Sequence, residues 1–503
     1  MFIKGLIDMI TIERQHIRVR FEKLDKIIAE RVGTTALTYV INRLKNETAG
    51  LLPTEREKHY IQAIQELSRV RATVRNCEQQ TIDALIAEVR TLAIEDAARI
   101  MLALGLSSQL YHRQNLLLWG INVEGESHVL LVAQISNSRL AGAVRYKKFN
   151  LRIEHNQSDG LGCASIMLVQ KPEEETPYKF TEARRLTYYG HEVNIRVVAN
   201  DGKISPKHRG FHFPFLSYLR PAKSEDVHSK LTVNPLNIAC QSCLPCSRLN
   251  VMPTTEELCG KYWLSPEELI AEIVRQFPDV FPRVKHVALI TSAFGSEAKC
   301  LAYISRLSEL LKAHLFRGEV GYLGHEVRSL DGLRQLKEQA GSRPLEFTIE
   351  VFNDKKRKAL LGKYKGIPME QVETILANAR AAGFQQIAVT LMDGLDSIDD
   401  YRGGIQRLTD SRLIDLVAHN ITATYASFQE PLLQPEARTF EYHLAIRRIL
   451  NQAGVLSHMA HEIAKGSVFS FPEVNADFDF VRLDGFESMP DDAILSLVTA
   501  ENI

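Results

Sequence analysis

Three of the chain's seven cysteines fall within seven positions, in the run Cys240-Gln241-Ser242-Cys243-Leu244-Pro245-Cys246. Thiolates at i, i+3 and i+6 cannot surround one metal from a single helix, but a loop can wrap them round an ion or a cluster. A polar loop that carries a proline is a poor place for three unliganded core thiols. Structural zinc needs a fourth ligand, and Cys259 and His228 are the candidates. A bacterial ferredoxin run needs a fourth Cys after a gap of three residues, followed by Pro. Those positions hold Asn250 and Val251, so the ferredoxin reading fails. Three thiolates can also hold a [4Fe–4S] cluster with one iron open to a small chelating ligand. The spacing leaves the zinc site and the three-Cys cluster both open. The remaining cysteines, Cys77, Cys163 and Cys300, read as small core residues, and the 16 His form no metal-spaced set.

The elements around this run set its position. From residue 231 strand and helix patterns alternate. Strands are expected at 231–233, 286–294, 319–323, 345–352, 386–392 and 421–428. Helices are expected at 265–277, 297–314, 330–339, 369–382, 399–419 and 438–452. Ser265-Pro266-Glu267-Glu268 opens the first helix with an N-cap Ser, Pro at N1 and Glu at N3. Such alternation means βα units on a parallel sheet or barrel. Six units suit an open barrel of TIM type, whose chemistry sits at the C-terminal ends of the strands. The cysteine run follows the first strand directly.

The stretch Leu345-Glu346-Phe347-Thr348-Ile349-Glu350-Val351-Phe352 alternates apolar and polar residues strictly up to Val351. Leu345, Phe347, Ile349 and Val351 are expected against the helices, and Glu346, Thr348, Glu350 and Phe352 inside the barrel. A carboxylate there needs partners, either an internal ion pair or a ligand. The run Lys355-Lys356-Arg357-Lys358 follows. The next strand ends in Met392-Asp393-Gly394-Leu395-Asp396, where Gly394 permits close backbone approach. Asp393 reads as a substrate or cofactor contact, or equally as a helix-capping loop residue.

A three-Cys loop after the first strand of a βα barrel resembles the radical S-adenosylmethionine (radical SAM) superfamily over residues 231–465. The usual family pattern is Cys, three residues, Cys, two residues, Cys, with an aromatic before the last; here the first gap is two and Pro245 stands before Cys246. The resemblance implies a [4Fe–4S] cluster on Cys240, Cys243 and Cys246, with S-adenosylmethionine (SAM) chelated at the open iron. Reductive cleavage of SAM would give a 5′-deoxyadenosyl radical that abstracts a substrate hydrogen. Thr291-Ser292-Ala293-Phe294-Gly295-Ser296-Glu297 is similar to the family's segment at the methionine amino group, which nominates Ser292, Gly295 and Glu297. Glu350 takes the ribose-binding position by the same resemblance, and Arg357 is a candidate for the methionine carboxylate. Tyr425 is a candidate radical relay, although packing explains most such tyrosines.

Lys+Arg and Asp+Glu both number 61, so no global field draws the chain to nucleic acid or an acidic membrane. Composition is 45% hydrophobic and 24% charged, which excludes global disorder. No apolar run reaches the ~20 residues of a membrane span, and Met1-Phe2-Ile3-Lys4 opens no secretory signal. With so few cysteines, a cytoplasmic location is expected. The expected substrate is a small biosynthetic molecule, with a peptide or carrier protein as second choice, and an external flavodoxin- or ferredoxin-like electron donor. The other functional class is a non-catalytic zinc- or cluster-stabilised interaction protein with a helical docking arm.

The fold class is α/β, a partial (βα)6 TIM-like barrel. The expected divisions are a helical bundle or arm at 1–107, a β-rich domain at 108–230, the barrel at 231–465 and an extension at 466–503. In the first, Leu51-Leu52-Pro53-Thr54-Glu55-Arg56-Glu57 places Thr54 and Glu57 at capping-box spacing. Ile61, Ile64, Leu67 and Val70 form one stripe, and two more helices are expected at 81–92 and 94–104.

Overall fold

The structure is a computed structural model. It describes residues 41–42, 44–48, 51–73, 76–104, 108–124, 130–131, 148–157, 160–183, 185–193, 197–198, 203–204, 207–208, 211–212, 217–219, 229–233, 243–245, 265–276, 284–290, 294–341, 345–361, 366–421 and 431–455. Cys240, Cys246, Cys259, His228, Ser292 and Tyr425 lie outside them.

Six parallel strands form the barrel sheet: β1 (Ser229–Val233), β2 (Val284–Ile290), β3 (Glu319–Gly324), β4 (Leu345–Glu350), β5 (Ile387–Asp393) and β6 (Leu416–Ile421). Each is hydrogen-bonded to the next in that order. Beyond β1, the antiparallel strands Ser217–Leu219 and Lys203–Ile204 extend the same sheet. The sheet thus draws on residues that the sequence pattern assigns to the β-rich region. The connecting helices are α1 (Pro266–Gln276), α2 (Glu297–Ala313), α3 (Leu330–Ala340), α4 (Asp354–Leu360), α5 (Met369–Ala381), α6 (Ile398–Asp410) and α7 (Phe440–Gln452). The chain is an α/β protein with a partial (βα)6 barrel.

Local signals explain most of these elements. Ser265 and Glu268 form the expected capping box, with reciprocal bonds of 3.0 and 3.2 Å. In α5 the buried residues Met369, Val372, Ile375, Leu376 and Ala379 recur at helical spacing and enter one core with Leu345, Phe347, Ile387 and Val389 of the strands. On the other face of β4 and β5, Glu346, Thr348 and Thr390 are buried polar residues, and Thr348 pairs with Thr390 across the strands. That inner polar face agrees with the alternation of β4.

Three expectations need correction. The helix pattern at 399–419 ends early, at Asp410, because Arg412 turns the chain through a left-handed φ of 53°. Leu416 and Val417, each 0% exposed, then form β6, which ends where the sixth strand was expected to begin; residues 422–428 lie outside the described set. The helices expected at 81–92 and 94–104 are one, Asn76–Leu104, since no Gly or Pro interrupts Leu92-Ala93-Ile94. Thr54 and Glu57 are not a capping box. Pro53 begins the helix Pro53–Arg71, and both side chains turn into the protein.

Helices Pro53–Arg71, Asn76–Leu104 and Ser108–Trp119 share one apolar core with Tyr178, Phe180, Leu186 and Tyr188 of the strands that follow, and with Val193 just beyond them. The expected turn at Gly190 is present at φ 87°. This core also takes Phe440 and Leu444 of α7. The Thr54 hydroxyl donates to Glu441 at 2.8 Å and accepts the Phe440 N–H at 2.8 Å, so one threonine joins two helix N-termini. Among the described residues no helix is long and apolar enough to cross a membrane.

Candidate active site at the C-terminal end of the parallel sheet

Parallel strands deliver their C-terminal ends to one side, and among the described residues Cys243, Gly295, Glu297, Glu350, Arg357 and Asp393 lie on segments at or just beyond those ends. Cys243 is buried in a small cluster with Val351, Leu361 and Leu395. Val351 follows β4 directly, and Leu395 lies two residues beyond β5. The Leu244 N–H donates to the Leu360 carbonyl at 2.8 Å, which ties the cysteine loop to the end of α4. The loop after β1 thus reaches across to the ends of β4 and β5.

Glu350 closes β4 in an unusual conformation. Its φ is 67°, in the left-handed region that costs a non-glycine residue about 1–3 kcal/mol. The pairing with β5 shifts between Thr348 and Glu350. The Val351 N–H donates back to the Ile349 carbonyl at 2.9 Å, closing a three-residue turn about Glu350. This turn ends the alternation expected along the strand. Val351 joins Cys243 at the mouth, whereas Phe352 swings to the helix layer and stacks edge-on against Tyr401 of α6 at 5.6 Å. The expectation that Val351 faces the helices and Phe352 the barrel is therefore reversed.

Arg357 is 1% exposed. Its guanidinium donates to the carbonyls of Ile349 at 2.7 Å, Val351, and Ile367 at 2.7 Å. Burial lowers its pKa to about 10, against the opposing pull of Asp354, Glu350 and Asp396. It remains a cation at neutral pH, spent on backbone oxygens around the Glu350 turn.

At the end of β2, Gly295 stands at φ 81° and Glu297 opens α2. The Glu297 carboxylate accepts the N–H groups of Arg328 and Ser329 and the Ser329 hydroxyl, so it caps α3, the neighbouring helix. Burial pushes this carboxyl up, but the Ser329 and Arg328 donors outweigh it and hold the group below its usual range. Glu326, buried after β3, accepts the N–H groups of Phe294 and Gly295 and so fastens the β2–α2 loop. The sequence pattern did not single it out.

Asp393 is 1% exposed at the last position of β5. The close approach at Gly394 comes from protein: a Cβ there would meet Leu433 and Ala437, each at 3.1 Å. Asp396 accepts the N–H groups of Phe352 at 2.6 Å and Asn353 at 3.3 Å, joining the ends of β4 and β5. Burial pushes its carboxyl up while those N–H groups pull it back. Asn353 caps α4, and Tyr442 of α7 donates to the Asp396 carbonyl at 2.8 Å. A Gly followed by Asp just past a strand is the signal that could have flagged Asp396.

No family model matches the sequence, and no curated protein matches it. Fourteen solved chains match the fold. One is the FeFe-hydrogenase maturase HydG from Carboxydothermus hydrogenoformans, 17% identical, aligned over 44% of this chain and 51% of that one at a TM-score of 0.32. Another is coproporphyrinogen III oxidase (HemN) from Escherichia coli, described as a radical SAM enzyme, 20% identical over 44% and 52% at a TM-score of 0.34. A further HydG structure is 13% identical over 44% and 49% at a TM-score of 0.32. The match spans about half the length of those chains.

Proposed function

We propose that this chain is a radical SAM enzyme whose site lies at the C-terminal end of the barrel sheet. The observation that carries the reading is the seat of Cys243, the central thiol of the three-Cys run, against Val351 and Leu395 at the ends of β4 and β5. The donor set fits the group: three thiolates in one loop suit iron–sulfur coordination and leave a position for a chelating ligand. Cys240, Cys243 and Cys246 would hold a [4Fe–4S] cluster. When bound, such a cluster would supply the one electron that breaks the C5′–S bond of SAM, releasing methionine and leaving a 5′-deoxyadenosyl group able to take a hydrogen atom from substrate.

The chain's own residues have definable tasks in this reading. Glu350, presented by its turn, would accept hydrogen bonds from the ribose hydroxyls. Asp393 lies at the end of the adjacent strand and would face substrate or cofactor. Glu297 and Arg357, engaged with backbone groups, would shape the site, and Gly295 with Ser292 would line its β2 side. The buried inner face of Glu346, Thr348 and Thr390 would enclose the reacting groups away from bulk water. The substrate would be a small biosynthetic molecule, and an external flavodoxin- or ferredoxin-like protein would supply the electron.

Anaerobic purification and reconstitution test this reading. The expected protein is brown, with about four iron and four sulfide per chain. Reduced with dithionite and given SAM, it should release 5′-deoxyadenosine, read by liquid chromatography and mass spectrometry. A colourless zinc protein that leaves SAM intact would overturn the proposal and select the zinc-stabilised interaction protein.

A further inference from the structure

We propose that Arg357 is a positioning residue: it clamps the turn that presents Glu350, rather than binding a ligand itself. The inference deepens the reading above, on which its ligand-binding arm rests.

The left-handed φ of Glu350 is a state that an L-residue leaves unless its surroundings prevent it. Two carbonyls flank the residue in this turn, those of Ile349 and Val351. Arg357 donates to both from the same Nη1 atom. Its Nε donates to Ile367, beyond α4, which orients the plane of the guanidinium. The Arg357 backbone N–H bonds to Asn353 at 2.8 Å, and its carbonyl accepts from Leu361 at 3.0 Å, so the side chain springs from a fixed helical turn. Only a rigid fork of donors can span three carbonyls in this way; a lysine ammonium lacks that planar geometry.

The clamp reaches the cysteine loop as well. Val351, whose carbonyl Arg357 holds, packs on Cys243, as does Leu361 at the end of α4. Lys356, next to Arg357, donates to the Leu395 carbonyl at 2.7 Å on the β5 side. One buried cation therefore orders the carboxylate-bearing turn and the seat of the central thiol together.

Two measurements on the full-length chain test this. The first is hydrogen–deuterium exchange of residues 349–352 without added ligand. Exchange at the Val351 amide should rise at least ~tenfold in Arg357→Lys, about 1.4 kcal/mol of lost protection, and should not rise in Glu350→Gly, because glycine adopts the turn freely. Unchanged exchange in Arg357→Lys overturns the clamp. The second is SAM affinity of the reconstituted protein by equilibrium dialysis. Compared between preparations of equal iron content, Arg357→Lys should weaken binding at least ~tenfold when Glu350 is present, and less than ~twofold in a Glu350→Ala background. Equal losses in both backgrounds would show that Arg357 acts independently of Glu350, and the proposal fails. If the wild-type chain binds no SAM, the functional reading falls, and the exchange experiment alone decides the clamp.

Discussion

Glu57 should make the stability of the N-terminal core depend on pH in a direction opposite to most carboxylates. The group is buried, and its two oxygens accept the hydroxyls of Tyr188 at 2.8 Å and Tyr189 at 2.9 Å. Burial raises its pKa to about 7 from 4.5; the tyrosine hydroxyls restrain the rise and Asp96 adds to it. Between those values the folded state binds more protons than the unfolded state, so stability falls as pH rises through the window. The cost is fully present above the folded pKa. His112, in contact with Tyr178 at 3.0 Å, is depressed by burial to about 4 from 6.5. Its contribution is lost as pH falls through the same range, so the two groups nearly cancel between pH 5 and 8. Glu57→Gln separates them. Relative to the wild type, the variant should gain about 2–3 kcal/mol between pH 5 and 8. Trp119, packed against this core, reports its unfolding in urea once Trp263, the other tryptophan, is replaced by Phe. A difference between variant and wild type that stays flat from pH 5 to 8 would refute the reasoning. So would a gain at low rather than high pH.

Three further outcomes are expected. Gly404→Ala would place a Cβ 2.2 Å from the Phe352 ring, and this overpacking should cost about 1–3 kcal/mol in urea unfolding; pairing it with Phe352→Leu should recover most of the loss. Single replacements of Cys240, Cys243 and Cys246 by Ala should each abolish iron binding by metal analysis, whereas Cys259→Ala should leave it intact; loss of iron in Cys259→Ala would show a fourth ligand. Glu297→Gln should lower the urea midpoint at neutral pH. Because the folded carboxyl is held below its usual range, that stabilisation is present above the unfolded pKa and fades as the pH drops through the folded one, so a deficit unchanged at acid pH would contradict the cap on α3.

Much of the barrel was legible along the chain. Helix stripes, the Ser265–Glu268 capping box and the alternation of β4 arise from contacts a few residues apart, so their pattern is written locally. The cysteine spacing, which needs only a loop, nominated a metal or cluster site but left zinc and iron–sulfur both open. What surrounds those elements came only with tertiary structure. Thr54 meets Glu441, 387 positions away, so a residue patterned like a cap became a joint between the helical core and α7. Glu350 left the strand geometry because the β4 pairing slips there and Arg357 holds both neighbouring carbonyls. That slip sent Phe352 to the space left by Gly404 and Val351 to Cys243. Arg357 stood in the basic run as a candidate ligand contact, and no local period distinguishes its buried position from those of its exposed neighbours Lys355 and Lys358. A sequence read locally specifies which way a strand or helix alternates; where the alternation stops is decided by groups that only the folded chain brings within reach.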